Sequence, residues 1–164
     1  MKFCLSRFFC TFVLHIKGAT QPNTLIFNTL SSFMENWGIL TYYCAITLTI
    51  IAYLLGSIPS AVWIGKKYYG IDIREHGSKN AGTTNMLRVL GKRAALPVFI
   101  IDYLNGYIAV LLMALAPVNE AWDINLRLIG TVAVVLGHIF PIFAGFKGGK
   151  GVATILGAGT GIYT

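Results

Sequence analysis

Two glycine-rich, basic segments carry the residues best suited to chemistry in this chain. The first, residues 77–85, reads GSKNAGTTN, and the second, residues 145–151, reads GFKGGKG. Glycine lets backbone N–H groups converge on an anion, and lysine or arginine supplies the opposite charge. Each segment lies beside an apolar run long enough to cross a membrane. The pattern predicts a site for phosphorylated groups at the edge of a bilayer.

The first segment offers hydroxyl and amide side chains, among them Ser78, Thr84 and Asn85, alongside its glycines. An ordinary polar turn ahead of a helix is the alternative, because Ser, Asn and Gly are common turn residues. Nine residues that are mostly small and polar exceed what a simple connection between helices needs. Arg88 follows Thr84 by four positions, so a helix that begins here presents both on one face. We therefore predict an anion site in this segment.

The second segment is similar to a phosphate loop but departs from the nucleotide-binding pattern GxxxxGK[ST]. Ala144 stands in place of its first glycine, and Gly151 follows Lys150 in place of Ser or Thr. ATP or GTP hydrolysis is therefore disfavoured. The alternative for this segment is a flexible connector whose two lysines, Lys147 and Lys150, only set membrane topology.

Asp102 and His138 are polar residues inside apolar runs. An ionisable residue within a span usually faces the bundle interior, and a lone histidine there is more often a structural hydrogen-bonding group than a catalyst. The HxxxxD pair of soluble-type glycerolipid acyltransferases is absent, because Phe143 occupies the Asp position after His138. We expect both residues to support a site rather than to react, and we expect no metal.

The composition indicates a membrane protein. Of 164 residues, 55% are hydrophobic and 12% are charged, about half of the charged fraction usual in soluble domains. Apolar runs cover residues 36–65, 94–118 and 128–146, and a fourth begins at residue 152. Lipid satisfies no backbone hydrogen bonds, so such runs must be helices. The predicted fold is an all-α integral membrane protein, a multi-span transmembrane helical bundle with cytoplasmic glycine-rich loops.

The charged connections predict the orientation of the chain. Residues 65–93 carry seven basic and two acidic side chains, whereas residues 119–127 carry one basic and two acidic side chains. By the positive-inside rule the first connection is cytoplasmic and the second is external, which places both glycine-rich segments on the cytoplasmic face. Most of the basic residues behind the formal net charge of +7 lie in short connections between apolar runs, so we expect no nucleic-acid partner.

Residues 1–33 form a separate N-terminal extension in this interpretation. Their apolar stretch is short and interrupted by Arg7, which makes a signal peptide the weaker alternative. Met34 is an alternative start, and we expect the extension to be untranslated or disordered. The membrane-embedded domain then covers residues 34–164. The three cysteines show no paired spacing and are interpreted as small apolar residues.

Three stretches together resemble the bacterial acyl-phosphate:glycerol-3-phosphate acyltransferases: residues 56–61 (GSIPSA), 70–85 with Arg88, and 137–154 (GHIFPIFAGFKGGKGVAT). The resemblance implies a multi-pass protein of the bacterial inner membrane. It implies transfer of a fatty acyl group from acyl phosphate to the sn-1 hydroxyl of glycerol 3-phosphate, which forms lysophosphatidic acid in phospholipid synthesis. The implied partners are these two substrates and the lipid bilayer, with no cofactor, nucleotide or metal.

The resemblance also implies roles for individual residues. Ser78, Gly82 and Thr84 would shape the pocket for acyl phosphate. Arg88 and Lys150 would hold the phosphate of glycerol 3-phosphate, and Gly148 and Gly149 would let the backbone approach it. The full expected set has three groups. The expected catalytic residues are Ser78, Thr84, Arg88 and Lys150, and the expected supporting residues are Asp102 and His138. The expected phosphate-binding residues are Gly77, Asn80, Gly82, Asn85, Lys147, Gly148, Gly149 and Gly151.

We expect direct attack by the glycerol hydroxyl on the activated mixed anhydride, without a covalent acyl-enzyme, and with the departing phosphate able to accept the proton. Lys79 and Asn105 depart from the family pattern, which commonly has Gly and Lys there. The family's third motif, with His, Asn, Arg and Glu, is not matched, so we expect the domain to be incomplete at its C-terminus. The alternatives are a catalytically inactive membrane fragment and, from another class, an anion-binding transport protein.

Overall fold

The computed structural model describes the backbone of residues 24–118 and 120–164, and the side chains of residues 38–118 and 122–164. The chain divides into two compact units, Met1–Leu40 and Thr41–Thr164. Of the expected N-terminal extension, residues 1–23 lie outside the described part, and residues 24–33 belong to the helix α1, Thr24–Gly56. The described portion of the first unit is thus helical.

A break at residues 57–59 separates α1 from α2, Ser60–Tyr69. The apolar run at residues 36–65, which the sequence shows as continuous, is therefore divided between two helices. Pro59 is the physical reason, because proline has no N–H to donate and disfavours helical backbone in the residue before it. Gly70, with φ of 69°, ends α2 in the left-handed conformation.

Four further helices complete the described fold: α3, Thr83–Leu90; α4, Lys92–Met113; α5, Glu120–Ile139; and α6, Val152–Ile162. Short 3-10 turns cover Ile73–Glu75 and Ile142–Ala144. The connection expected at residues 119–127 lies almost wholly within α5, since that helix already begins at Glu120. The apolar run expected to continue to residue 146 is helical only as far as Ile139, where α5 ends.

In the part of the chain that the structure describes, three helical stretches are long and apolar enough to cross a membrane, namely Gly38–Tyr69, Lys92–Met113 and Trp122–Ala144. Val152–Ile162 is a shorter apolar helix. Large apolar side chains such as Ile100, Val132 and Ile155 are exposed on these helices, as lipid-facing surfaces require. The prediction of an all-α, multi-span membrane protein is confirmed.

Small residues allow α4 and α6 to pack closely. A Cβ added at Gly106 would overlap the carbonyl oxygen of Thr154, and one added at Gly157 would overlap that of Tyr103. Helices in membranes commonly associate through such glycines because the two backbones can then approach each other. The packing fixes the start of α6, and with it the end of the second glycine-rich segment, against α4.

Candidate active site

A cavity of about 340 Å³ lies between the two glycine-rich segments. Its volume falls within the ~300–1,000 Å³ that is usual for small-molecule sites. Both segments contribute to its wall, together with α3, α4, α5 and the start of α6. The lining residues are Ser78, Asn80, Gly82, Thr83, Thr84, Asn85, Arg88, Phe99, Asp102, His138, Lys150, Gly151, Val152 and Ala153.

Most residues expected from the sequence meet at this cavity. All four members of the expected catalytic group line it, as do Asp102 and His138. The expected phosphate-binding group divides in two: Asn80, Gly82, Asn85 and Gly151 line the cavity, and Gly77, Lys147, Gly148 and Gly149 do not.

Arg88 and Lys150 supply the positive charge of the cavity. Arg88 lies on α3, one turn after Thr84, as the i,i+4 spacing predicts, and Lys150 lies just before α6. Both side chains are exposed, and neither forms an ion pair with a carboxylate in the part of the chain that the structure describes. Two cations without acidic partners, at one cavity, favour an anionic ligand.

The side-chain amide of Asn85 organises the first glycine-rich loop. Asn85 is 2% exposed, and its Oδ1 accepts a hydrogen bond of 2.9 Å from the backbone N–H of Ser78. Its Nδ2 donates to the carbonyl oxygens of Ile73, His76 and Asn80 at 3.0–3.1 Å. Because these bonds occupy the amide, we assign Asn85 to loop positioning in place of the expected phosphate contact.

Two backbone conformations in this loop have left-handed φ angles. Gly77 has φ of 59°, and a Cβ there would overlap Oδ1 of Asn85, so this glycine is needed for the approach of the loop to that amide. Lys79 has φ of 58°, which a lysine rarely adopts. The expected phosphate role of Gly77 is thus replaced by a conformational one.

The second glycine-rich loop is bonded to the end of α5. The N–H of Gly149 donates to the carbonyl oxygen of His138 at 3.1 Å, and that of Gly148 donates to Ile139 at 3.2 Å. A Cβ at Gly148 would overlap the His138 carbonyl oxygen, and one at Gly149 would overlap Nε2 of its ring. These glycines serve loop–helix packing, and their N–H groups are not free for the phosphate contact expected from the sequence.

Hydrogen bonds join the two loops to each other. The N–H of Ala81 donates to the carbonyl oxygen of Gly148 at 3.3 Å, and Nη1 of Arg74 donates to that of Ala144 at 2.7 Å. Arg74 also donates hydrogen bonds to both carboxylate oxygens of Asp72, from Nε to Oδ1 at 2.9 Å and from Nη2 to Oδ2 at 2.7 Å. The guanidinium holds the pKa of the Asp72 carboxyl well below its usual range, and Asp72 raises the pKa of Arg74 in return.

A buried polar group lies beside the cavity between α2, α4 and α5. Ser60 Oγ donates to Oδ1 of Asp102 at 2.6 Å, and Nδ1 of His138 lies 3.9 Å from the same oxygen. Asp102 is 1% exposed and His138 is 8% exposed. A buried carboxylate needs such partners, since an isolated one is costly in an apolar interior. In the described ranges, no group of three or more His, Cys, Asp or Glu side chains could hold a metal ion.

Sequence reasoning did not assign Ser60, Thr83, Phe99, Val152 or Ala153 to the site. Ser60 falls in the GSIPSA stretch directly after Pro59, and Phe99 precedes Asp102 by three positions and so shares its helix face. The position of Ser60 in that stretch and the spacing of Phe99 from Asp102 could have indicated that both residues belong to the site. Val152 and Ala153 carry none beyond their position after Gly151.

The family model described as "Glycerol-3-phosphate acyltransferase" matches residues 46–164. The chain belongs to the glycerol-3-phosphate acyltransferase family. Glycerol-3-phosphate acyltransferases of Streptococcus pneumoniae, from strain Hungary19A-6 and from the serotype 4 strain ATCC BAA-334 / TIGR4, are each 52% identical over 112 residues. That match covers 68% of this chain and 51% of theirs, so the chain spans about half the length of these curated relatives.

Two solved structures have a similar fold. Both are PlsY (YgiH), an integral membrane glycerol 3-phosphate acyltransferase. Its glycerol 3-phosphate form has a TM-score of 0.61 and 44% identity, and the match covers 72% of this chain and 57% of the PlsY chain. Its lysophosphatidic acid form has a TM-score of 0.58 and 43% identity, and that match covers 72% of this chain and 56% of the PlsY chain. The family resemblance in the sequence is confirmed.

Proposed function

We propose that this chain transfers a fatty acyl group from acyl phosphate to the sn-1 hydroxyl of glycerol 3-phosphate, forming lysophosphatidic acid for phospholipid synthesis. The observation that carries the proposal is the cavity that unites Arg88 and Lys150, which have no acidic partners among the described residues, with the hydroxyls of Ser78 and Thr84. Membership of the acyltransferase family supports it, as do solved relatives in glycerol 3-phosphate and lysophosphatidic acid forms.

The residues divide by charge in this proposal. Arg88 and Lys150 hold the phosphate of glycerol 3-phosphate, because charge-assisted hydrogen bonds from cations are the strongest contacts the cavity offers to a dianion. Ser78 and Thr84 donate hydrogen bonds to the phosphate of the acyl donor. Gly82 has no side chain, which leaves room for that group beside the start of α3.

The reaction is a direct displacement. The acceptor hydroxyl oxygen attacks the acyl carbonyl carbon, and a new ester C–O bond forms. The bond between that carbon and the phosphate oxygen breaks, and its electron pair leaves with phosphate. The departing phosphate accepts the proton of the attacking hydroxyl. Because a mixed anhydride is already activated, positioning and charge neutralisation provide most of the rate, and no acyl-enzyme is formed.

The location of the site follows from the charge distribution. We place both glycine-rich loops on the cytoplasmic face of a bacterial inner membrane, since the basic connection at residues 65–93 favours that side. Residues 34–164 then form the membrane-embedded acyltransferase part. The acyl chain of the donor would lie in the bilayer while its phosphate enters the cavity.

Membranes that contain the full chain test the activity directly. Incubation with palmitoyl phosphate and radiolabelled glycerol 3-phosphate should give labelled lysophosphatidic acid. Lys150→Ala and Arg88→Ala should lower its formation at least 100-fold, since each removes one of two phosphate-binding charges. Lys92→Ala is the matched control, because Lys92 is an exposed cation at the start of α4 outside the cavity.

Binding of glycerol 3-phosphate, measured by calorimetry on the detergent-solubilised chain, separates site from activity. A parent chain that binds it but forms no product would contradict the proposed activity and indicate the inactive-fragment alternative. Product that persists in both cation variants would contradict the assigned site.

A further inference from the structure

Arg74 is a cation that the proposed reaction does not use. It lies on the 3-10 turn Ile73–Glu75, just before the first glycine-rich loop, and it does not line the cavity. Its Nε and Nη2 donate to the two carboxylate oxygens of Asp72, and its Nη1 donates to the carbonyl oxygen of Ala144 at 2.7 Å. Every guanidinium nitrogen therefore has a protein partner, and Asp72 balances the charge. This arrangement favours an indirect role for Arg74 over contact with a substrate.

The bond to Ala144 lies at the bend that begins the second glycine-rich loop. The next two residues, Gly145 and Phe146, have φ angles of 62° and 61°. A left-handed backbone is unfavourable for phenylalanine, so such a bend persists only where surrounding contacts hold it. A hydrogen bond from a guanidinium is roughly twice as strong as one between neutral groups. The Arg74–Ala144 bond thus helps to hold this bend, six positions before Lys150.

The turn that carries Arg74 is also bonded into the first loop. Asp72 Oδ1 accepts the backbone N–H of Arg74 at 3.1 Å, so the same carboxylate holds both its backbone and its side chain. The neighbouring carbonyl oxygen of Ile73 accepts Nδ2 of Asn85, whose Oδ1 in turn accepts the N–H of Ser78. Arg74 therefore extends from the turn that positions Ser78 to the chain that leads to the other loop.

A second link between the two loops is weaker. The N–H of Ala81 donates to the carbonyl oxygen of Gly148 at 3.3 Å, which is longer than the usual range of about 2.7–3.2 Å. Neither of these backbone groups carries a net charge. The bond from Arg74 is the stronger of the two links, and its loss should let the second loop shift relative to the first.

We propose that Arg74 is a positioning residue for acyl transfer: it joins the second glycine-rich loop to the first, so that Lys150 and Arg88 face the same phosphate. This inference rests on the proposed function. Lys150 belongs to the loop that Arg74 holds at Ala144, whereas Arg88 lies on α3, directly after the first loop. Binding of glycerol 3-phosphate, whose phosphate is assigned to both cations, therefore depends on Arg74. Binding of acyl phosphate, assigned to first-loop hydroxyls, depends on it less.

Arg74→Lys is the primary test, because a single ammonium keeps the charge but cannot reproduce the guanidinium fork between Asp72 and Ala144. The KM for glycerol 3-phosphate should rise about tenfold, since one phosphate-binding cation is displaced, while the KM for palmitoyl phosphate stays within about threefold. A defect of the whole fold would not separate the two substrates in this way. Arg93→Lys is the matched control, because Arg93 is an exposed arginine outside the cavity, and both KM values should be unchanged.

Asp72→Asn loosens the same contact without altering Arg74, and it tests the inference even if Arg74→Lys fails to fold. Asparagine keeps Oδ1 as an acceptor but cannot accept from Nη2 at the other position. The KM for glycerol 3-phosphate should rise about threefold, in the same direction as for Arg74→Lys and by less.

A double-mutant cycle shows whether Arg74 acts through Lys150. In a Lys150→Ala background the cation that Arg74 positions is already absent. Adding Arg74→Lys there should therefore raise the Kd for glycerol 3-phosphate by less than about twofold, against about tenfold in the parent background. Calorimetry on the detergent-solubilised full chains, at millimolar glycerol 3-phosphate, provides the measurement.

The outcomes separate this inference from the function beneath it. If the parent forms product and neither Arg74→Lys nor Asp72→Asn changes the KM for glycerol 3-phosphate, the inference is overturned and the proposed function stands. Equal rises in the KM of both substrates, or an undiminished effect in the Lys150→Ala background, would show a general structural role and would also overturn it. If the parent forms no product but binds glycerol 3-phosphate more tightly than Arg74→Lys does, the proposed function fails and the positioning of the anion site is supported. A parent that neither binds it nor forms product overturns both.

Discussion

At the scale of single residues, the two loops are shaped mainly by hydrogen bonds that the sequence does not display. The family resemblance implied that Ser78, Thr84, Arg88 and Lys150 would share one site, and the cavity brings all four together. The same reasoning assigned Asn85 to the ligand. Its four backbone partners depend on how the loop folds back, and no spacing rule encodes that path.

The left-handed backbone at Lys79 gives a prediction about stability. The left-handed conformation costs a non-glycine residue about 1–2 kcal/mol. Glycine avoids this cost but loses about 0.5–1 kcal/mol more backbone conformational entropy on folding. Lys79→Gly should therefore stabilise the chain by roughly 0.5–1 kcal/mol, measured by thermal unfolding in detergent micelles.

Lys79→Ala is the control for that prediction, because alanine removes the charge and keeps the strained φ of 58°. It should give no comparable gain. An equal gain from alanine would show that charge repulsion, and not backbone conformation, sets the cost.

At the scale of helices, the close packing of α4 and α6 depends on particular glycines. At Gly157 a Cβ would overlap the carbonyl oxygen of Tyr103, whereas at Gly159 on the same helix nothing lies within 4 Å. Gly157→Ala should destabilise the chain by about 1–3 kcal/mol through overpacking. Gly159→Ala should be neutral or stabilising by up to about 1 kcal/mol, since alanine favours helix.

Unfolding of both alanine variants in mixed micelles with increasing SDS provides the measurement. Equal midpoints would show that α4 and α6 are not in contact at Gly157. Because the pair differs in position and not in chemistry, intrinsic helix preference cannot explain a difference between them.

Helix limits were predicted less well than helix existence. Hydropathy marks where a chain is apolar, so it located the three described helical stretches that are long and apolar enough to cross a membrane. It does not report hydrogen bonding, and it therefore missed both the division of the first run before Pro59 and the start of α5 among charged residues at Glu120.

At the scale of the whole molecule, the predicted orientation is open to direct test. With the native cysteines replaced by serine, Lys147→Cys should react with a membrane-impermeant maleimide only after spheroplasts are lysed. Leu115→Cys, at an exposed position after α4, should react in intact spheroplasts. The basic connection at residues 65–93 is the physical reason, since positive charge stays on the cytoplasmic side. Labelling in the opposite order would place the cavity outside.

The sequence predicted the class and family of the molecule because both depend on features distributed along the chain. It also predicted, from charge and span count, that residues 77–85 and 145–151 would lie on the same face of the membrane. How they meet could not be predicted, since the contacts through Arg74, Ala81 and His138 require the three-dimensional path of both loops.

The bonds from Gly148 and Gly149 to the end of α5 have a thermodynamic consequence. A loop rich in glycine is normally ordered only when its ligand arrives, and that ordering weakens association. Here the hydrogen bonds of Gly148 and Gly149 already order the backbone next to Lys150. Little conformational entropy is therefore lost when an anion binds. Recognition then depends chiefly on charge, and the affinity for glycerol 3-phosphate should fall as ionic strength rises.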